Sequence, residues 1–168
     1  MFSVNDTVMY GQSGICKITE ICDKKFGKET HKYYVLHPLY GDNTVIYCPV
    51  DSEKVPMRRL LTAQDVLSLI REMPEQQSDW IENDNLRKEA QTEVLRGGDH
   101  KALIALVKML YRKRIETENS GKRFHRADAD AMAQAENMLY QEFAEALGIT
   151  PEEVVPFIIE RLEKQENP

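Results

Sequence analysis

Val55-Pro56-Met57-Arg58-Arg59-Leu60-Leu61-Thr62-Ala63-Gln64-Asp65-Val66-Leu67-Ser68-Leu69-Ile70 is the stretch in which the chain changes its period. Up to Leu60 the apolar residues are β-branched or aromatic and fall in short runs bounded by turn residues, the pattern of strands. From Thr62 onward Val66, Leu67, Leu69 and Ile70 recur at helical spacing. Thr62 can cap the new helix, with Asp65 three positions on completing a capping box, and Pro74 stops it.

Working back towards the N-terminus, the runs 7–10, 15–22, 31–37 and 43–48 read as four strands, with a fifth at 55–60. Gly11 to Gly14, the polar stretch 23–29 and the Gly41-Asp42 pair supply the connections. Five strands in about sixty residues are the size of a small SH3-like or Tudor-like barrel. Working forward, Ser78 or Asp79 can start a second helix that carries Trp80, Leu86 and Val94 and ends at Gly97-Gly98. Asp99 can cap a third running to about Asn119-Ser120-Gly121. A fourth carries Met132, Ala135, Met138, Leu139 and Phe143 and stops at Gly148, and a fifth opens at Thr150-Pro151-Glu152-Glu153. The expected fold is therefore α+β: an N-terminal β domain over 1–60 and a compact all-α domain of about five helices over 61–168, in which 61–77 is a connecting helix and linker.

A composition 42% hydrophobic and 30% charged is that of a water-soluble globular protein. No run of eighteen apolar residues occurs and the first residues lack the regions of a signal peptide, so the expectation is a cytoplasmic protein without membrane contact. The net charge of -6 hides a segregation. Residues 1–86 hold 9 Lys+Arg and 13 Asp+Glu, residues 87–126 hold 11 and 5, and residues 127–168 hold 2 and 10, giving -4, +6 and -8. Such a chain does not coat nucleic acid indiscriminately, but its central basic stretch can hold phosphates at short range; from charge alone the favoured reading is a solvated helical face.

Enzyme chemistry has no motif here: no Gly-rich phosphate loop, no His-Glu-x-x-His, and in Gly11-Gln12-Ser13-Gly14 a sequence one residue short of a nucleophile elbow. The residues point to no catalytic group, metal or cofactor. His31, His37, His100 and His125 are dispersed, and Cys16, Cys22 and Cys48 lack paired spacing, reading instead as small apolar residues. Trp80, the only tryptophan, stands in the polar stretch Glu75-Gln76-Gln77-Ser78-Asp79-Trp80-Ile81-Glu82-Asn83-Asp84-Asn85 just before the basic segment. It reads either as a core residue of its own domain or as an apolar wedge for a minor groove, with nearby cations on the phosphates.

Phe2-Ser3-Val4-Asn5-Asp6-Thr7-Val8-Met9-Tyr10, Gly14-Ile15, Tyr34-Val35-Leu36 and Thr44-Val45-Ile46-Tyr47-Cys48-Pro49-Val50 resemble the CarD/CdnL family of bacterial transcription regulators. The N-terminal module is also similar to the polymerase-interacting domain of the transcription-repair coupling factor. The likeness continues through Trp80, Gly98-Asp99, Leu110-Tyr111-Arg112 and the helix from Met132 to Gly148. It implies a factor whose Tudor-like domain binds the RNA polymerase β subunit and whose helical domain contacts promoter DNA at the upstream edge of the bubble. That contact would use the minor groove and the backbone with little base specificity, stabilising the open complex, and the factor would act as a monomer.

By the same resemblance Trp80 matches the wedge. Arg87 and Lys88, seven and eight residues on, would share its helical face and hold phosphates. Arg112, Lys113 and Arg114 would add a second cluster, or complement the dipole of a helix end, and Lys122 and Arg123, with His125 and Arg126, form a basic loop. On the polymerase side the resemblance implies an exposed strand edge, here Val45, Ile46 and Tyr47, with Lys24 and Lys25 in the turn after the second strand. This chain departs from the family in three places. Tyr47 stands where another type of member carries arginine, the interval from Trp80 to Asp99 is about one helical turn longer than in some members, and His125 takes an N-cap position where serine is usual. The competing reading is an interaction adaptor with a Tudor-like module, a buried Trp80 and no DNA contact.

Overall fold

Alternating inward and outward residues build five antiparallel strands, β1 (Thr7–Tyr10), β2 (Gly14–Phe26), β3 (Glu29–Pro38), β4 (Ile46–Pro49) and β5 (Met57–Arg59), in the order β4-β3-β2-β1-β5. The structure is a computed structural model describing residues 1–166. Register pairs Val8 with Cys16, Ile18 with Leu36, Leu36 with Ile46 and Tyr34 with Cys48. One face is thereby made of directly opposed apolar side chains, and Val8, Tyr10, Cys16, Ile18, Tyr34, Leu36 and Cys48 form the buried core of this unit. Burial pushes the Cys16 thiol up; burial and the neighbouring Cys48 push the Tyr10 hydroxyl up to about 12. The α+β expectation holds, but the sheet is not closed. Its two edges, β4 and β5, have four and three residues and no ladder joins them among the described residues, so the Tudor-like barrel is only approximated.

Two details of this sheet differ from the sequence reading. The 23–29 stretch is not a turn: β2 runs on through Phe26, which pairs with Glu29 across the two-residue loop Gly27-Lys28. Gly27 at φ 67° occupies the first loop position, where a tight hairpin of this class takes glycine, and the Phe26 ring meets Tyr33 edge-on at 5.7 Å. Lys24 and Lys25 consequently lie in the β2–β3 ladder, opposite His31 and Thr30. The fourth strand begins only at Ile46, leaving Val45 just before it. Gly11 to Gly14 is a turn, as its composition indicates: Gly11 has φ 47°, and a side chain there would come within 2.6 Å of Val55.

Contacts divide the chain into Met1–Leu60 and Leu61–Pro168. The second unit contains α1 (Ala63–Glu72), α2 (Asp84–Gly97), α3 (His100–Asn119), α4 (Arg126–Leu147) and α5 (Pro151–Glu166). Thr62 and Asp65 form the reciprocal capping box of α1, and the Asp99 side chain accepts from the Ala102 amide at the start of α3. The interior collects Val66 and Ile70 of α1, Leu103, Leu106 and Leu110 of α3, Ala135, Leu139 and Phe143 of α4 and Val154 of α5. A fully buried Leu110 or Phe143 contributes roughly 1.5–3 kcal/mol relative to exposure. Glu142 is buried among them and accepts from the Leu61 amide at 2.9 Å and from His100 Nε2 at 2.7 Å, tying the first residue of the unit to α4.

The second helix starts later than its sequence suggests. Ser78 and Asp79 do not open it; α2 begins at Asp84, capped by the Asn83 side chain, which accepts from the Leu86 amide. Residues 76–83 are non-helical. The Asn83 cap fixes the start of the helix, and Trp80, ahead of it, packs partly against the apolar interior.

Candidate nucleic-acid interface

Trp80 lies in the irregular segment between α1 and α2, half-buried against the helical core. Two cations lie near its ring: the guanidinium carbon of Arg87 at 4.3 Å from the centroid and Lys113 Nζ at 5.0 Å. Arg87 reaches it from the first turn of α2. Lys113 reaches it from α3, and its half-buried ammonium also lies 3.7 Å from Glu116.

Arg87 is not the exposed phosphate ligand that its position suggested. It is 5% exposed, and all five N–H donors of its guanidinium are taken. Nε and Nη2 donate to the two oxygens of Asp128 at 2.9 and 3.0 Å. Nη2 also donates to Asp84 at 2.8 Å, and Nη1 to the carbonyls of Ile81 and Glu82 at 2.9 and 3.3 Å. Arg87 and Trp80 do not share a helical face either, because Trp80 precedes α2. The hydrogen bond to Asp128 leads in moving the Arg87 pKa above its ordinary value, against desolvation, so the group is a permanent cation. Burial alone would raise the Asp128 carboxyl, but hydrogen bonds from Arg87 and Gln91, with the charges of Arg87 and His125, hold it below its usual value.

A second inward cation acts at the other end of the same segment. Lys108 of α3 donates to the carbonyls of Met73 and Gln76, both at 2.7 Å, and is within 3.5 Å of that of Pro74. Burial, reinforced by Arg112, lowers its pKa. Neither Lys108 nor Asp128 was singled out from sequence. Asp128 does carry one local signal, being an acidic residue in the first turn of α4 behind His125, an N-cap that makes no side-chain capping bond.

The remaining basic residues face outward. Lys88, Arg112, Lys122 and Arg123 are exposed and make no ion pair among the described residues. Arg114 is half-buried over the Tyr111 ring, and Arg126 reaches Asp130 only at 4.0 Å. The structure therefore brings Arg87 and Lys113 to Trp80, and leaves Lys88, Arg112, Lys122 and Arg123 as solvated cations with no contact to that ring.

In the β unit, β4 is an edge strand. Val45 and Tyr47 are exposed, whereas Ile46 packs against the β core and can offer a partner little beyond its backbone. Lys24 Nζ stands 3.4 Å from the centroid of the Tyr47 ring. A cation is thus held over the edge strand at the position where the family resemblance led us to expect arginine. Lys25 is exposed on β2 beside it in sequence.

Residues 2–61 match the family described as the CarD-like/TRCF RID domain. This segment is similar to the RNA polymerase-interacting domain of CarD-like proteins. No curated protein matches the chain. Among the described residues, no helix is long and apolar enough to cross a membrane.

Proposed function

We propose that this chain, whose residues 2–61 form a CarD-like RNA polymerase-interacting domain, is a transcription regulator that binds the polymerase β subunit through that domain and promoter DNA through its helical unit, as a monomer. Edge strand β4 would extend a sheet of the partner by backbone hydrogen bonds, with Tyr47, Val45, Lys24 and Lys25 around it. Trp80 would abut the minor groove at the upstream edge of the bubble, flanked by Lys113, with Lys88, Arg112, Arg114, Lys122 and Arg123 along the phosphates. Nothing in this arrangement reads bases, so recruitment by the polymerase would set where it acts. In the cell it would be cytoplasmic and associated with the nucleoid through the polymerase.

The observation that carries the reading is the combination of an RNA polymerase-interacting domain with a single half-buried tryptophan, next to two cations drawn from the one positively charged segment of an acidic chain. A factor that binds the open state better than the closed one shifts the equilibrium by that difference. A tenfold gain in open complex needs about 1.4 kcal/mol, within reach of one aromatic contact and a few phosphates. The test is open-complex lifetime on a promoter fragment with the cognate polymerase at fixed salt. Wild type should lengthen it and Trp80→Ala should not.

A second reading, an adaptor without DNA contact, draws on the packing of Trp80 against the helical interior. Under it Trp80→Ala unfolds the helical unit and neither protein changes the lifetime.

A further inference from the structure

We infer that Arg87, anchored by Asp128, is the positioning residue of Trp80: it sets the ring's orientation before DNA is met and contacts no phosphate itself. This rests on the reading of Trp80 as the DNA contact.

Segment 76–83 has no regular secondary structure to hold it. It is instead gripped at both ends by cations turned inward: Lys108 takes the carbonyl of Gln76 and, just before the segment, that of Met73, and Arg87 takes those of Ile81 and Glu82. Trp80 lies between these grips, its ring 4.3 Å from the Arg87 guanidinium. Arg87 is itself immobilised by a bidentate pair with Asp128, forty-one residues away on α4, whose Oδ1 also accepts from Gln91 at 2.9 Å. Apolar packing does not make this grip redundant. A half-open cleft of about 240 Å³, lined by Ser78, Asp79 and Ile81 from the segment and by Ala90, Val94 and Leu106 from the helices, leaves the segment only partly packed against them. A wedge is effective only if its ring is ordered beforehand, since ordering on contact is subtracted from binding.

Trp80 is the only tryptophan, so its fluorescence reports its own ring in the full-length protein. In wild type the anisotropy decay should contain little fast local rotation; a freely rotating ring overturns the inference without any variant. Asp128→Asn and Arg87→Lys, read at a temperature where circular dichroism is that of the folded chain, should raise acrylamide quenching of Trp80 about twofold by releasing ring motion. Quenching unchanged in a folded variant overturns the inference. If Arg87→Lys does not fold, Asp128→Asn decides alone, because it keeps both the guanidinium and the shape of the carboxylate. A double-mutant cycle on open-complex lifetime adds the functional arm. Arg87→Lys should shorten the lifetime about threefold or more with Trp80 present and have no effect in a Trp80→Ala background. Equal loss in both backgrounds identifies a direct phosphate contact and overturns the positioning role. If Trp80→Ala alone leaves the lifetime unchanged, the DNA reading fails, and the fluorescence result still decides whether Arg87 orders the ring.

Discussion

Each unit holds a cation over an aromatic ring, and the two pairs are built in opposite ways. In the β unit Lys24 lies over Tyr47, a ring 46% exposed on an edge strand, and the lysine makes no ion pair among the described residues. In the helical unit Arg87 lies over Trp80 with every donor engaged by Asp128, Asp84 and two backbone carbonyls. The exposed pair keeps its charge available to a partner and contributes little to stability, whereas the buried pair has no charge left to offer and holds the fold around its aromatic ring. Proximity of a cation to a candidate contact residue therefore says nothing about its role until its other hydrogen bonds are counted.

That contrast can be broken most forcefully at Arg87. Arg87→Met leaves the Asp128 carboxylate buried without its partner and should destabilise the helical unit by about 3–5 kcal/mol, measured by urea unfolding followed through Trp80 fluorescence. Acid sharpens the same point. The folded Asp128 carboxyl sits below its ordinary value, so its stabilisation is complete above the unfolded pKa of about 3.9 and is lost as pH falls from there through the folded value. Trp80 emission should change in that window for wild type and much less for Asp128→Asn.

At the exposed pair the effects are smaller and fall on binding alone. Tyr47→Ala should weaken association with the polymerase β subunit about tenfold, roughly 1.4 kcal/mol, while Tyr47→Phe, which keeps the ring face, should stay near wild type in the same titration. Either substitution should leave unfolding within about 0.5 kcal/mol. An equal loss for phenylalanine would make the hydroxyl, not the Lys24-bearing face, the contact. Smallest of all, Lys122→Ala or Arg123→Ala should leave folding untouched and lower the slope of log affinity for promoter DNA against log salt by about 0.9 each. An unchanged slope would remove that loop from the interface.

Local chemistry made much of this readable in advance. Thr62 with Asp65 and Asp99 with the amide of Ala102 are caps whose partners lie three residues away, and the change of period at residue 60 coincides with the last strand and the first helix. Errors came where a local signal competed with a distant one. The polar composition of 23–29 looked like a turn, yet Gly27 allows a two-residue loop and the ladder with β3 extends β2 to its edge. Ser78 and Asp79 were plausible caps, yet Asn83 takes that role and frees Trp80 to pack against the core.

By itself, the sequence determined the α+β order of elements, the caps that start helices, the segregation of charge and the identity of the single tryptophan, because each depends on composition or on residues within one turn of each other. Only the tertiary structure decided which cations face outward. Arg87 and Asp128 are forty-one residues apart, Lys108 and Gln76 thirty-two, and Lys24 and Tyr47 lie on strands separated by a third. No periodicity encodes such pairings: a buried guanidinium must satisfy all its donors, and which carboxylate or carbonyl arrives to do so is set by the packing of elements far apart in the chain.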